Sequence, residues 1–166
     1  MIIISNYRQE HKNGMIYIRS EEESVCPICQ SSLKVIGSRH RVVVRHGFQQ
    51  TLVIRRLRCH RCMVIHHELP DILIPYKRHC AYTIDMVVMD NENKATPNMS
   101  TAYRIRRWWH VLKMYFAFLA VSLNIRFDAV FSTSPTPAEI ARAMTNSHSW
   151  THTHSVLMSN PWMNTA

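Results

Sequence analysis

The chain has 166 residues, a formal net charge of +9 and an apolar fraction of 46%. That size fits one domain, or two small modules sharing a core. With charged residues at 19%, the composition excludes a mostly disordered chain and the collagen-like and low-complexity classes. The longest apolar stretch, 114–123, is about ten residues, well short of the roughly 20 a membrane-spanning helix needs, and no basic region precedes the apolar start. The sequence therefore predicts a soluble, unexported protein.

In chain order, 1–4 and 15–18 predict two short strands ahead of the acidic run Glu21-Glu22-Glu23. A strand at 33–36, ended by Gly37-Ser38, precedes β-branched runs at 42–44 and 52–54, which flank a short turn over 46–50 containing Gly47. Together they predict a small three-stranded antiparallel meander. Pro75 marks the start of a helix with Tyr76, Cys80, Ile84, Val87 and Val88 at helical spacing, and 90–98 is a polar connection. Cys80 falls on that apolar stripe and is expected to be a buried, inert thiol.

Ser100 is a suitable N-cap for a second helical segment. Ala102, Ile105, Trp109, Leu112, Phe116, Leu119 and Leu123 recur every three or four residues, as in one long helix or two broken near Trp108. Its start carries Arg104, Arg106 and Arg107 away from the stripe, whereas beyond Lys113 it is apolar nearly all round. An exposed basic start and a buried end are expected. Trp108 and Trp109 fit either a core or a surface that stacks on bases. A short helix over 137–144, opening at Thr136 or Pro137, leads to a loosely packed polar tail with His152 and His154.

The charge is local. Segments 25–68 and 100–127 carry +7 and +5, while 1–24, 69–99 and 128–166 carry −1 each. No acidic residue lies between Glu23 and Glu68. Such one-signed fields repel themselves and point to a polyanionic partner. The dominance of Arg over Lys favours bidentate contacts with phosphates and base edges.

Four of the five cysteines form Cys26-Pro-Ile-Cys29 and Cys59-His-Arg-Cys62, with 29 residues between the pairs. Two thiolates at i and i+3 on a tight turn face one ion, and a second such turn completes the tetrahedron zinc accepts. Two pairs without an export signal weigh against a redox or disulfide role, and four thiolates leave no open position for catalysis. His60, His66 and His67 are expected at the surface or facing phosphate. Gln30 and Met63 follow the second cysteine of each pair, where a knuckle usually has glycine, so each must accept whatever backbone angle the turn demands.

The run CPIC, IRRLRCHRC, HHELP and PYKRHC resembles the amino-terminal zinc ribbon of ISL-type insertion-sequence transposases. It is still more similar to a bacterial domain-of-unknown-function family, encoded near mobile elements, that carries the ribbon without a nuclease domain. The resemblance covers about 25–112 and implies a mobile-element setting, with a transposase or recombinase as partner.

The expected fold is α+β: strands and an acidic linker (1–24), a zinc ribbon with a small antiparallel sheet (25–70), a helix-turn-helix-like bundle (71–130), and a short helix with a polar tail (131–166). The expected function is non-enzymatic binding of double-stranded DNA by a cytoplasmic, nucleoid-associated protein. Structural zinc would sit on Cys26, Cys29, Cys59 and Cys62. Arg41, Arg45, Arg55, Arg56, Arg58 and Arg61 would meet phosphates, and Thr101, Arg104 and Arg107 would approach bases. The rivals are an RNA-binding ribbon, a protein-interaction module, and a minimal transposase, against which none of Asp71, Asp85, Asp90 and Asp128 ends a convincing run of buried strands as a two-metal nuclease needs.

Overall fold

The computed structural model describes residues 1–90, 97–127 and 135–147. The chain order is β1 (Ile2–Ile4), β2 (Tyr7–Lys12), β3 (Met15–Ser20), β4 (Leu33–Arg45), β5 (Phe48–Cys59), β6 (Ile65–Pro70), α1 (Ala81–Val88), α2 (Met99–Phe127) and α3 (Pro137–Asn146). The class is α+β, with a curled mixed sheet.

β5 organises that sheet. β4 pairs antiparallel along its whole length; its opposite edge is shared by parallel β3, at Leu52 and Val53, and antiparallel β6, at Arg56, Leu57 and Arg58. Beyond them, β2 flanks β3 and β1 runs parallel to β6. With neighbours on both edges, β5 is a central strand, which explains why Leu52, Val53, Ile54 and Leu57 are all buried.

The β2–β3 and β4–β5 hairpins each turn on two residues with positive φ: Asn13-Gly14 (52° and 70°) and His46-Gly47 (50° and 81°). This is the type I′ geometry, whose twist matches that of the strands. The turn expected over 46–50 is therefore only two residues long, and Phe48, Gln49 and Gln50 already pair with β4. Nor does a strand end at Gly37-Ser38. The register shifts between Val35 and Gly37, Ile36 becomes the extra residue of a bulge, and β4 runs on to Arg45. The expected three-stranded meander is a long two-stranded hairpin. β2, with the polar sequence YRQEHK and all but Tyr7 exposed, has no apolar alternation to announce it.

Pro75 does not open a helix. Tyr76 has φ 64°, and the next residues run beside β4: Val44 N donates to Arg78 O at 2.7 Å and Cys80 N donates to Val44 O at 3.1 Å. α1 begins only at Ala81, with Cys80 at its N-cap. Cys80 is buried as expected, with Sγ 3.2 Å from Thr83 Oγ1.

α2 is one helix, unbroken at Trp108. Asn98 rather than Ser100 caps it, its Oδ1 accepting from Thr101 N at 2.9 Å. Ala102, Ile105, Trp108 and Leu112 are buried, and Trp109 packs against them half-buried. The side chains of Phe116, Leu119 and Leu123 lie outside the described residues. Met114, Phe118 and Val121 are exposed, so the second half of the helix is not buried all round.

α3 opens with a complete capping box: Thr136 Oγ1 accepts from Glu139 N, and Glu139 Oε2 accepts from Thr136 N. At its other end, the Asn146 side chain accepts from Ile3 N at 2.7 Å and donates to Ile3 O at 2.9 Å, bonding β1 as a neighbouring strand would. One buried cluster joins Ile4, Ile18, Ile54 and Leu69 of the sheet to Ile74, Ile84, Leu112 and Met144. Burying each such side chain contributes about 1.5–3 kcal/mol. Residues 91–96 of the polar connection and the tail with His152 and His154 lie outside the described residues. Among the described residues, no helix is long and apolar enough to cross a membrane.

Candidate functional site

The open end of the β4–β5 hairpin carries the cysteines. Cys59 ends β5, Cys26 directly follows Val25, whose bridge to Ser32 leads into β4, and each starts a tight turn. The two turns share one conformation. Cys26 N donates to Ser31 O and Cys59 N donates to Val64 O, both at 2.9 Å, each spanning five residues. Gln30 and Met63, the fifth residue of each turn, have φ of 59° and 63°. The left-handed angle the sequence raised at these positions is thus present in both, held by residues that lack the freedom of glycine.

The four sulfurs lie within 4.8 Å of one another. Cys26 and Cys62 are 3.6 Å apart, and Cys29 and Cys59 are 3.4 Å apart. A zinc ion at about 2.3 Å from each thiolate requires sulfur–sulfur edges of about 3.8 Å. Donor type, number and spacing all fit one tetrahedral ion. Hydrogen bonds from the Ser31 side chain and backbone lower the pKa of the Cys29 thiol, whereas burial and the neighbouring cysteines raise that of Cys62, so the four sulfurs share protons as one unit.

Behind this cluster, β6 alternates between two surfaces. His66 is 1% exposed, with Nε2 3.5 Å from Cys26 Sγ, so it is neither at the surface nor phosphate-facing as expected. Glu68, on the same side of β6, is also 1% exposed. It accepts from Arg55 Nε at 2.5 Å, Arg55 Nη2 at 2.7 Å and Ser24 Oγ at 2.7 Å. This bidentate pair raises the Arg55 pKa further and commits that guanidinium to holding β5, β6 and the approach to Cys26 together. The period-two spacing of His66 and Glu68 was available in the sequence, but their partners are far along the chain. His60 is exposed, and His67 faces the other side of β6.

On that other side, no such ion pair is seen among the described residues. Cross-strand register sets Arg39 beside Ile54, Arg41 beside Leu52 and Lys34 opposite Arg58. Burial lowers the Arg41 pKa, and Arg39 and Arg78 lower it further. Burial lowers that of His67, with Arg39 and Arg56 adding to it. Arg45, Arg58 and Arg61 are exposed, Arg56 is half-buried, and Arg41 is recessed, donating from Nη2 to Lys77 O at 3.2 Å.

That last contact joins regions the sequence separates. Lys77 Nζ lies 3.9 Å from the centroid of the Trp108 ring, and burial lowers its pKa to about 8. Next along, burial and the nearby Arg104 charge lower the pKa of His79. Residues 77–79 thus connect the basic hairpin to the first turns of α2, where Arg104 and Arg107 are exposed and Thr101 is half-buried. Arg106 is instead paired with Asp90 at 2.7 Å.

The described residues therefore form an α+β fold with an apolar core and, at the open end of a basic hairpin, a four-cysteine cluster. The chain belongs to the family DUF6431, a domain of unknown function, whose model matches residues 26–108, from the first cluster cysteine to Trp108. Comparison with curated proteins and with solved structures gives no match.

Proposed function

We propose that this protein is a zinc-stabilised, non-enzymatic DNA-binding protein of the nucleoid. In this reading Cys26, Cys29, Cys59 and Cys62 hold structural zinc in a ribbon, and α1 and α2 act as a helix-turn-helix-like pair. The setting, by its resemblance to transposase ribbons, is a mobile element, where the protein serves a transposase or recombinase as a site-recognition or regulatory partner. The observation that carries the reading is the junction at 77–79. Arg41 of the hairpin bonds Lys77 and Arg104 of α2 acts on His79, which supports reading the two basic blocks as neighbouring parts of one surface. A field of one sign at this density favours a polyanion.

Phosphate contacts fall to Arg45, Arg56, Arg58 and Arg61, and base contacts to Thr101, Arg104 and Arg107. Arg55 is committed to Glu68, and Arg41 is recessed. The described aspartates have structural partners instead of forming a two-metal site: Asp71 accepts from Tyr7, Asp85 from Ala138 N, and Asp90 from Arg106.

Selection from a random duplex library, with zinc measured on the same preparation, tests the proposal. Affinity should fall steeply with salt, and the paired reversals R58E/R61E and R104E/R107E should each reduce the log–log salt slope by about 2. Salt-independent or absent duplex binding, or stronger binding of single-stranded RNA, would sink it.

A further inference from the structure

The basic side of the β5–β6 ladder also carries a cleft of about 390 Å³, within the size range of small-molecule sites. Its apolar lining includes Ile54, Ile65 and Leu69, and its polar lining comprises Arg39, Arg41, His67, Tyr76 and Thr145. Among the described residues, no carboxylate lines it. The cations therefore act on one another: Arg39 lowers the pKa of both Arg41 and His67.

Two further observations point to a ligand. Arg41 Nε and Thr145 Oγ1 are buried side-chain atoms with no hydrogen-bond partner among the described residues, and both belong to residues that line this cleft. Thr145 is 2% exposed and comes from α3, whereas Arg41 comes from β4, so the two residues line the cleft from different elements. Groups left so are costly unless something bonds to them. Tyr76 adds a backbone signal. Its φ of 64° places a bulky aromatic residue in the left-handed region, and Tyr76, which lines the cleft, is 59% exposed as a residue. Strain of this kind persists where the surroundings impose it, often at ligand clamps.

We propose that this cleft is a binding site for a small phosphate monoester with a planar body, the class of a nucleoside monophosphate. Two guanidinium groups, an imidazole and a hydroxyl suit the three terminal oxygens and double charge of a phosphate monoester better than a singly charged, two-oxygen carboxylate. The apolar lining and the Tyr76 ring offer flat surfaces to a base. Thr145 is 2% exposed, and a hydroxyl so enclosed favours a small molecule over the broad backbone of nucleic acid. The proposal stands apart from the DNA reading and does not depend on it.

Calorimetric titration of the full-length, metal-loaded protein with AMP, CMP, adenosine and inorganic phosphate tests it. A nucleoside monophosphate should bind saturably and more tightly than either adenosine or phosphate. T145V, which keeps the side-chain shape, should weaken nucleotide binding roughly tenfold, and R41M should weaken it by more. Thermal unfolding of T145V without nucleotide should occur at or above the wild-type temperature, separating ligand loss from misfolding. Duplex affinity should be the same in T145V as in the wild type. No binding of either nucleotide, adenosine or phosphate binding as tightly as AMP, nucleotide binding unchanged in T145V, or T145V lowering duplex affinity equally would each overturn the assignment.

Discussion

Arg55 and Arg56 are neighbours in one strand and have opposite surroundings. Arg55 points to the side of the ladder where Glu68 takes it in a bidentate grip and His66 rests on Cys26. Arg56 points to the side where Arg39, Arg41 and His67 crowd together and Lys34 stands opposite Arg58. One face compensates its charges and is tied to the cysteine cluster. The other leaves like charges together, against its own stability. Identical side chains one residue apart thus separate a structural surface from one suited to an anion.

The largest effect expected from this contrast is on the compensated face. Removing metal with a chelator, or substituting C59S, should release both cysteine turns, because structural zinc supplies roughly 10 kcal/mol or more to folding in small modules. Hydrogen exchange should show protection lost around 26–32 and 59–66 and kept in β3 and α2, which belong to the apolar cluster. Uniform loss would mean the cluster supports the whole domain. E68A comes next. It strands a half-buried guanidinium, and urea unfolding should show a loss of about 3–5 kcal/mol, the usual cost of breaking such a pair from one side.

On the uncompensated face, the unfolded chain takes up a proton at His67 near its ordinary 6.5, while burial and the neighbouring arginines make the folded protein resist it. Stability should therefore fall as pH drops through 6.5, until folded His67 is protonated too. In H67Q that part of the slope should vanish, and an unchanged slope would assign it elsewhere. The smallest effect is expected for R58E. Replacing a like-charge cross-strand pair with an opposite one should raise stability by a few tenths to about 1 kcal/mol at low salt while weakening any polyanion contact. A loss of stability would show that Lys34 and Arg58 do not repel.

The contrast also separates what was legible in the sequence from what was not. The cysteine turns were legible because their signal is local: ligands at i and i+3, with a constrained backbone at Gln30 and Met63. So was α3, marked by Thr136, Pro137 and Glu139. The hairpin was misread at Gly37-Ser38, because glycine marks a bulge as readily as a strand end. The start of α1 was misplaced because Cys80 and Arg78 bond to Val44, a partner that periodicity cannot reveal. For the same reason Arg55 resembled its neighbours until Glu68 was beside it, and the cleft, which draws on β4, β5, β6 and α3, has no contiguous motif.

The contact between Asn146 and Ile3 bears on the order of assembly. β1 is the earliest strand in the chain, yet its strand partner is Glu68–Pro70 and its side cover comes from α3, 143 residues away at Asn146. Such distant pairings close large loops and form slowly. The cysteine turns and both type I′ hairpins can form from nearer neighbours, so an intermediate should exist in which Ile2, Ile3 and Ile4 still meet water. During synthesis, these three isoleucines would need shielding until α3 is made.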